Sequence, residues 1–286
     1  MKILVTGVSG QLGHDVQEVL LERGHEVLEP TSKEFNVTDM NRVFDYLEEE
    51  RPDAVIHCAA YTAVDKAQEE AFKCHDVNAS GTRTLAKNCG RMEIPLLYVS
   101  TDYVFDGSGE TPFEVNNKKG PLNEYGLSKL AGEEAVKTFC NKYFIVRTSW
   151  VFGMNGGNFV KTILRIADTK DTITVVNDQI GSPTYTKDLA QLLCDMIESK
   201  KYGIYHATNE GFCSFCEFAE KIIDYSGRNT RIIPIPSEKY KTPATRPKNS
   251  RLSKQSLIDA NFKLLPPWQD ALRRYIVELQ GPAFDE

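Results

Sequence analysis

The chain has 286 residues, 41% of them hydrophobic and 26% charged, and a formal net charge of −6. At roughly 150 residues per domain this allows two domains or one large α/β unit, and it excludes a disulfide miniprotein or a disordered tail. The acidic balance argues against a nucleic-acid binder, because phosphate contacts need a basic surface; with no apolar stretch near the ~18 residues of a membrane helix, no membrane partner is expected either.

Short β-branched runs alternate with helix-period stretches, which predicts βαβ crossovers and a parallel sheet covered on both faces. Residues 1–7 run straight into a strand over 3–6 and a glycine turn, so we expect no cleaved secretory leader. The turn, Gly7-Val8-Ser9-Gly10-Gln11-Leu12-Gly13, opens an amphipathic helix over 11–22. In that place Gly7 and Gly10 let the backbone turn tightly and approach a pyrophosphate met by helix-terminal N–H groups, while Gly13 lets helix and strand pack closely. Strand two is expected over 25–29. Glu29 at its end is placed to accept hydrogen bonds from ribose hydroxyls and to repel a 2′-phosphate, so the expected cofactor is NADH, with NADPH also accepted because Lys33 lies close enough to compensate.

A helix over 39–50 leads to strand three over 54–57, and a helical pattern runs from 64 to 90. Strand four, over 96–100, meets Thr101 at the edge where open α/β sheets bind ligands. The helix over 124–140 then carries Tyr125 and Lys129 one turn apart on one face. An ammonium beside a phenol favours phenolate, so a proton passing from Tyr125 to a carbonyl oxygen that is gaining charge leaves a stabilised anion, and a Thr101 hydroxyl can bind the same carbonyl. Strand five is expected over 143–147.

After Trp150 the texture changes, with Gly153, Gly156 and Gly157 and then Pro234, Pro236, Pro243 and Pro247. We therefore place a first domain over 1–152 and a smaller α/β region over 153–286, which is expected to return strands near 172–176 and 203–207 to the first sheet. Segment 221–254 holds nine basic residues against two acidic ones, which suits a compact anionic ligand, with Arg246 the leading contact. The seven cysteines are odd in number and scattered, as for reduced cytoplasmic thiols. Cys213-Ser214-Phe215-Cys216 lacks a second pair and predicts packing within a helix, not zinc. The five histidines pair with no nucleophile motif, so a Ser-His-Asp hydrolase is unsupported.

The glycine turn, Thr101 and Tyr125-x-x-x-Lys129, in this order, resemble the extended short-chain dehydrogenase/reductases. The strings at 58–65, 100–105, 147–151, 177–179 and 246–252 narrow this: over nearly the whole chain they resemble the dTDP-4-dehydrorhamnose reductase family. The resemblance implies a Rossmann-like doubly wound sheet with a C-terminal substrate domain, and a catalytic set at Thr101, Tyr125 and Lys129. It places cofactor contacts at Gly10, Gln11, Leu12, Glu29, Asn36, Val37, Ala59, Ala60 and Tyr61, shared with Tyr125 and Lys129. Sugar-nucleotide contacts fall on Thr101, Asp102 and Trp150. Asn36 stands where many relatives have Asp. Some relatives dimerise around a magnesium ion held by glutamates; Asp15 matches one such position and the others find no match, so no metal is expected, and the chain is expected to be a monomer or homodimer in the cytoplasm.

Related dehydratases carry Thr-Asp-Glu, whose carboxyls eliminate water, whereas here Tyr103 follows Thr101-Asp102. Simple carbonyl reduction is therefore the expectation: hydride from the nicotinamide to C4 of dTDP-4-dehydro-L-rhamnose, a proton from Tyr125, and Lys129 lowering the tyrosine. Reduction of another 4-keto-6-deoxy sugar nucleotide, or a non-catalytic regulatory role on the same fold, are the alternatives; the intact Thr101, Tyr125 and Lys129 argue against the second.

Overall fold

The computed structural model describes residues 1–281. Its first half runs β1 (Lys2–Thr6), α1 (Gln11–Glu22), β2 (Glu26–Leu28), α2 (Met40–Glu50), β3 (Ala54–His57), α3 (Val64–Ala67), α4 (Ala71–His75), α5 (Thr82–Arg91), β4 (Leu96–Thr101), α6 (Glu124–Phe139) and β5 (Tyr143–Thr148). Local chemistry sets several of these ends. Asp39 accepts a hydrogen bond from the Arg42 amide at the start of α2, and Asn123 accepts one from Gly126 at the start of α6, each satisfying an amide that lacks a partner within its helix.

Residues 64–90 are largely helical, as their pattern predicts, but not in one regular run. They break into three helices, with six residues of π-helix, Asp76–Gly81, before α5. Asn78, in the widened turn, takes the Tyr61 amide on its Oδ1 at 2.8 Å and donates from Nδ2 to the Tyr61 carbonyl and to Ser128 Oγ. The irregular turn thus pins the loop after β3 to α6, as π-bulges near functional sites often do.

Six parallel strands stand in the order β10-β5-β4-β3-β1-β2, where β10 is Gly203–His206. Both faces are buried, which is why the strands read as unbroken apolar runs. On one face Ile3, Val5, Ile56, Leu97, Phe144 and Val146 pack under α1 and the helix Thr186–Ile197; on the other Leu4, Val55, Leu96, Tyr98 and Ile145 pack against α2, α5 and α6.

The remaining elements are β6 (Val151–Phe152), α7 (Phe159–Ala167), β7 (Thr172–Val176), β8 (Ile180–Gly181), β9 (Thr184–Tyr185), α8 (Thr186–Ile197), β10, β11 (Cys213–Ser214), α9 (Phe215–Tyr225), β12 (Arg231–Ile235), α10 (Gln255–Asp259) and α11 (Trp268–Gln280). β10 does return to the main sheet, beside β5. The segment 172–176 does not: β7 pairs in parallel with β12 in a separate ribbon. Its burial alternates, with only Ile173 and Val175 inside, so it has one face for a second core formed with α7, α9 and α11 and none for a sheet covered on both sides. The Cys213–Cys216 motif is likewise not within a helix. Cys213 lies in β11, and Ser214 caps α9 through a capping box with Glu217. All seven cysteines are free. Among the described residues no helix is long and apolar enough to cross a membrane.

Behind the ends of β4 and β5 lies a buried ion pair. Arg147 donates from Nε and Nη2 to the two Glu133 oxygens at 2.8 and 2.7 Å, and Ser100 Oγ donates to the same carboxylate at 2.6 Å. Arg147 is 1% exposed and Glu133 0%. Breaking such a pair leaves a charge stranded in low dielectric. Arg147→Ala is expected to cost about 3–5 kcal/mol in urea unfolding, while replacing Arg147 and Glu133 together with Leu and Met recovers most of that loss.

Candidate active site

The C-terminal ends of β1, β3, β4 and β5 open into one cavity of about 960 Å³. This is the crevice where strand order reverses, with β2 and β3 leaving β1 on opposite sides. Its floor at β1 is the glycine turn. Gly7 has φ +77°, and a Cβ there would lie 2.7 Å from the Ala59 amide nitrogen; a Cβ on Gly13 would lie 2.2 Å from the Gly7 carbonyl oxygen. No side chain caps α1, whose first turn therefore presents free amides to the cavity. A bare cradle at a helix N-terminus, in a cavity of this size, fits the pyrophosphate of a dinucleotide.

Gly7, Gly10, Gln11, Leu12, Gly13, Glu29, Asn36, Val37, Ala59 and Ala60 all line this cavity, as do Thr101, Asp102, Tyr125, Lys129 and Trp150. The Gln11 side chain turns away to accept hydrogen bonds from the Gly153 amide and Asn158, so the glycine turn is tied to the second half of the chain. Glu29 accepts from Gln17. Two expected contacts lie elsewhere. Tyr61 donates its hydroxyl to Glu70 at 2.9 Å and is absent from the cavity wall. Arg246 is also absent, because the Asp65 carboxylate takes both ends of its guanidinium at 3.0 and 2.8 Å.

At the chemical end, Thr101 Oγ1 donates to Asp102 Oδ1 at 3.0 Å and accepts the Tyr103 amide at 3.2 Å. Burial pushes the Asp102 carboxyl up to about 6, although hydrogen bonds from Ser250 and Thr101 oppose this. Tyr125 packs edge-on to Tyr103, with ring centroids 5.8 Å apart. Burial and the neighbouring Asp102 charge raise its phenol well above the ordinary value, and the hydrogen bond with Thr101 is what pulls it down. The sequence assigned that lowering to Lys129. In the structure Lys129 donates to the Val99 carbonyl at 2.7 Å and lies 4.0 Å from the Tyr98 ring centroid, and its own value is lowered to about 7 by burial, against the raising charge of Glu133. A phenol held high stays protonated at neutral pH and is loaded as an acid.

Trp150 has a positive φ of 48° and stacks on Phe215, with centroids 3.7 Å apart and planes 16° apart. Such pairs contribute about 0.5–1.5 kcal/mol beyond burial. Both rings line the cavity. Phe215 and Thr148 are wall residues that sequence reasoning missed: the first lies inside a motif weighed for metal and for packing but not for a ligand, and the second is one step past the expected end of strand five.

His14, Asp15 and Glu18 of α1 bring three possible metal-ligating atoms within 4.8 Å, but none of them lines the cavity. An imidazole and two carboxylates from one stretch of helix do not resemble the oxygen octahedron that magnesium demands.

Because Lys129 takes up a proton more readily when unfolded, where its value is near 10.5, than when folded, where it is near 7, stability rises with pH between those values. Lys129→Met removes this penalty. We expect its melting temperature at pH 7.5 to exceed that of the parent protein while turnover is lost, with scanning calorimetry as the check.

The family described as RmlD substrate binding domain matches residues 1–280. The chain is 40% identical over 277 residues to the spore coat polysaccharide biosynthesis protein SpsK of Bacillus subtilis, covering 97% of each. Among solved structures it is similar to a dTDP-4-dehydrorhamnose reductase from Clostridium acetobutylicum, with TM-score 0.96, 38% identity, and 98% of this chain and 100% of that one covered. It is similar also to dTDP-4-dehydrorhamnose reductase from Bacillus anthracis in complex with NADP, with TM-score 0.94, 40% identity, and coverage of 97% and 99%. With the match spanning the sheet, the glycine cradle and the Thr101–Tyr125–Lys129 end alike, the chain belongs to the RmlD substrate-binding-domain family.

Proposed function

We propose that this protein is an NAD(P)H-dependent reductase that converts the 4-keto group of dTDP-4-dehydro-L-rhamnose to the alcohol of dTDP-L-rhamnose. The observation that carries the reading is the convergence of a glycine cradle and a protonated Tyr125 on one cavity, whose wall also holds Thr101, hydrogen-bonded to Asp102. The family membership, and the reductases to which the chain is similar, support the same chemistry.

When bound, the reduced nicotinamide supplies the hydride. The glycine turn, Glu29, Asn36, Val37, Ala59 and Ala60 would hold the dinucleotide, and Lys129 would meet its nicotinamide ribose. Thr101 orients the ketone by a hydrogen bond to its oxygen. As negative charge develops on that oxygen, the Tyr125 hydroxyl delivers its proton. Glu29 favours NADH, and the similarity to a reductase in complex with NADP supports use of NADPH as well. Trp150, backed by Phe215, offers a flat platform for the sugar or base, and Asp102 accepts from a sugar hydroxyl. In this reading residues 1–152, completed by α8 and β10, hold the cofactor, and the rest of 153–286 holds the sugar nucleotide. The reading needs residues from one chain only, which a monomer or a homodimer satisfies, and free cysteines suit the cytoplasm.

A panel of 4-keto-6-deoxy sugar nucleotides, followed by loss of NADH absorbance, tests the substrate; tight cofactor binding with no oxidation by any of them would instead favour a regulatory subunit. Tyr125→Phe is expected to lower kcat by at least about two orders of magnitude while leaving the NADH Kd nearly unchanged, and near-normal turnover would remove Tyr125 as the acid.

A further inference from the structure

Among the described residues, two buried side-chain atoms on the cavity wall lack a hydrogen-bond partner: Asp102 Oδ2, on a residue already given to the sugar, and Thr148 Oγ1. Thr148 ends β5 directly across from Thr101, its register partner in β4, and is 5% exposed. Alternate residues of a strand share a face, so Phe144, Val146 and Thr148 form one row, and Leu97, Val99 and Thr101 form the next. Both rows are apolar where they lie under α1 and α8. Where they leave the helices and meet the cavity, each ends in a threonine. The Thr101 hydroxyl is engaged on both sides, donating to Asp102 and accepting from the Tyr103 amide. The Thr148 hydroxyl is engaged on neither.

A buried hydroxyl without a partner destabilises the protein that carries it, and valine would fill the same volume without that penalty. Packing therefore gives no reason for oxygen at this position, and a ligand does. The spatial order of the strands says which ligand. The pyrophosphate cradle lies at β1, and the wall continues through β3 and β4 to β5. A dinucleotide anchored at β1 and laid along this edge would carry its nicotinamide half toward β5, where its carboxamide, which both donates and accepts, would meet Thr148. The sugar ketone is met from the other side, by Tyr125 of α6.

We propose that Thr148 orients the cofactor: its hydroxyl hydrogen-bonds the nicotinamide carboxamide and so sets which face of the ring meets the ketone. This rests on the reductase reading above. The test compares Thr148→Val and Thr148→Ser with the parent protein by three measurements: melting temperature without cofactor, NADH Kd from fluorescence titration, and KM for the keto-sugar nucleotide. For Thr148→Val the expected result is a cofactor-free melting temperature equal to or above the parent's and an NADH Kd raised about three- to tenfold, with KM for the sugar nucleotide within about twofold of the parent's. Thr148→Ser, which keeps the oxygen, is expected to restore the NADH Kd. The proposal is overturned by an unchanged Kd in Thr148→Val, by a lowered cofactor-free melting temperature (a structural hydroxyl), or by a loss confined to the KM of the sugar nucleotide. If the parent protein itself fails to bind NADH, the reductase reading falls first; if it binds and Thr148→Val binds equally well, only the assignment of Thr148 falls.

Discussion

The carboxylate of Glu133 ties together three elements that the chemistry needs in register. It is on α6, one turn beyond Lys129 and two beyond Tyr125; it receives Ser100 from β4 and both arms of Arg147 from β5. Each bonded residue immediately precedes a cavity residue, Thr101 in one strand and Thr148 in the other. Because side chains alternate across a strand, fixing Ser100 and Arg147 on the α6 side fixes the two threonines on the opposite side. A charge pair sealed from water has few other arrangements open to it, which makes it suited to holding a geometry even where it adds little net stability.

The same dryness governs the protonation of the site. Burial disfavours charge, so Lys129 is pulled down to about 7 and Asp102 is raised to about 6, and the Tyr125 phenol is raised further. Both the lysine and the aspartate are thereby brought near neutral pH from opposite directions, and the tyrosine is kept as a neutral donor. His57, buried at the end of β3 and bonded to Thr6 of β1 and Thr82 of α5, is lowered to about 3 and stays uncharged, so it serves as a strut between these elements and not as a titrating group.

In the second half several of the basic groups are paired within the protein. The basic segment 221–254 draws its partners from elsewhere in the chain: Arg228 meets Asp168, Arg246 meets Asp65, and Lys248 meets Asp178 as well as the local Glu238. What the second half contributes to the cavity is apolar, through Phe159, Phe215 and Phe218, with Trp150 stacked on Phe215. These contacts also anchor the cavity's rim, since Asn155 and Asn158 reach back to the glycine turn.

The linear chain alone determined the features that rest on neighbours a few residues apart. The strand-turn-helix at 3–22, the helices over 39–50 and 124–140, and the pairing of Tyr125 with Lys129 follow from period and helical spacing, which are local. Long-range pairing settled the rest. The partner of Arg246 is 181 positions away, and nothing near it in the chain signals that its charge is spent on Asp65. Residues 172–176 read as any other strand until β12 proves to be their neighbour. The π-turn over 76–81 holds Asn78, which bonds the Tyr61 loop and Ser128, fifty residues on, partners that spacing does not signal. Whether Tyr125 is raised or lowered was equally out of reach of spacing, because desolvation depends on everything that surrounds a group in space, while the chain order records only what precedes and follows it.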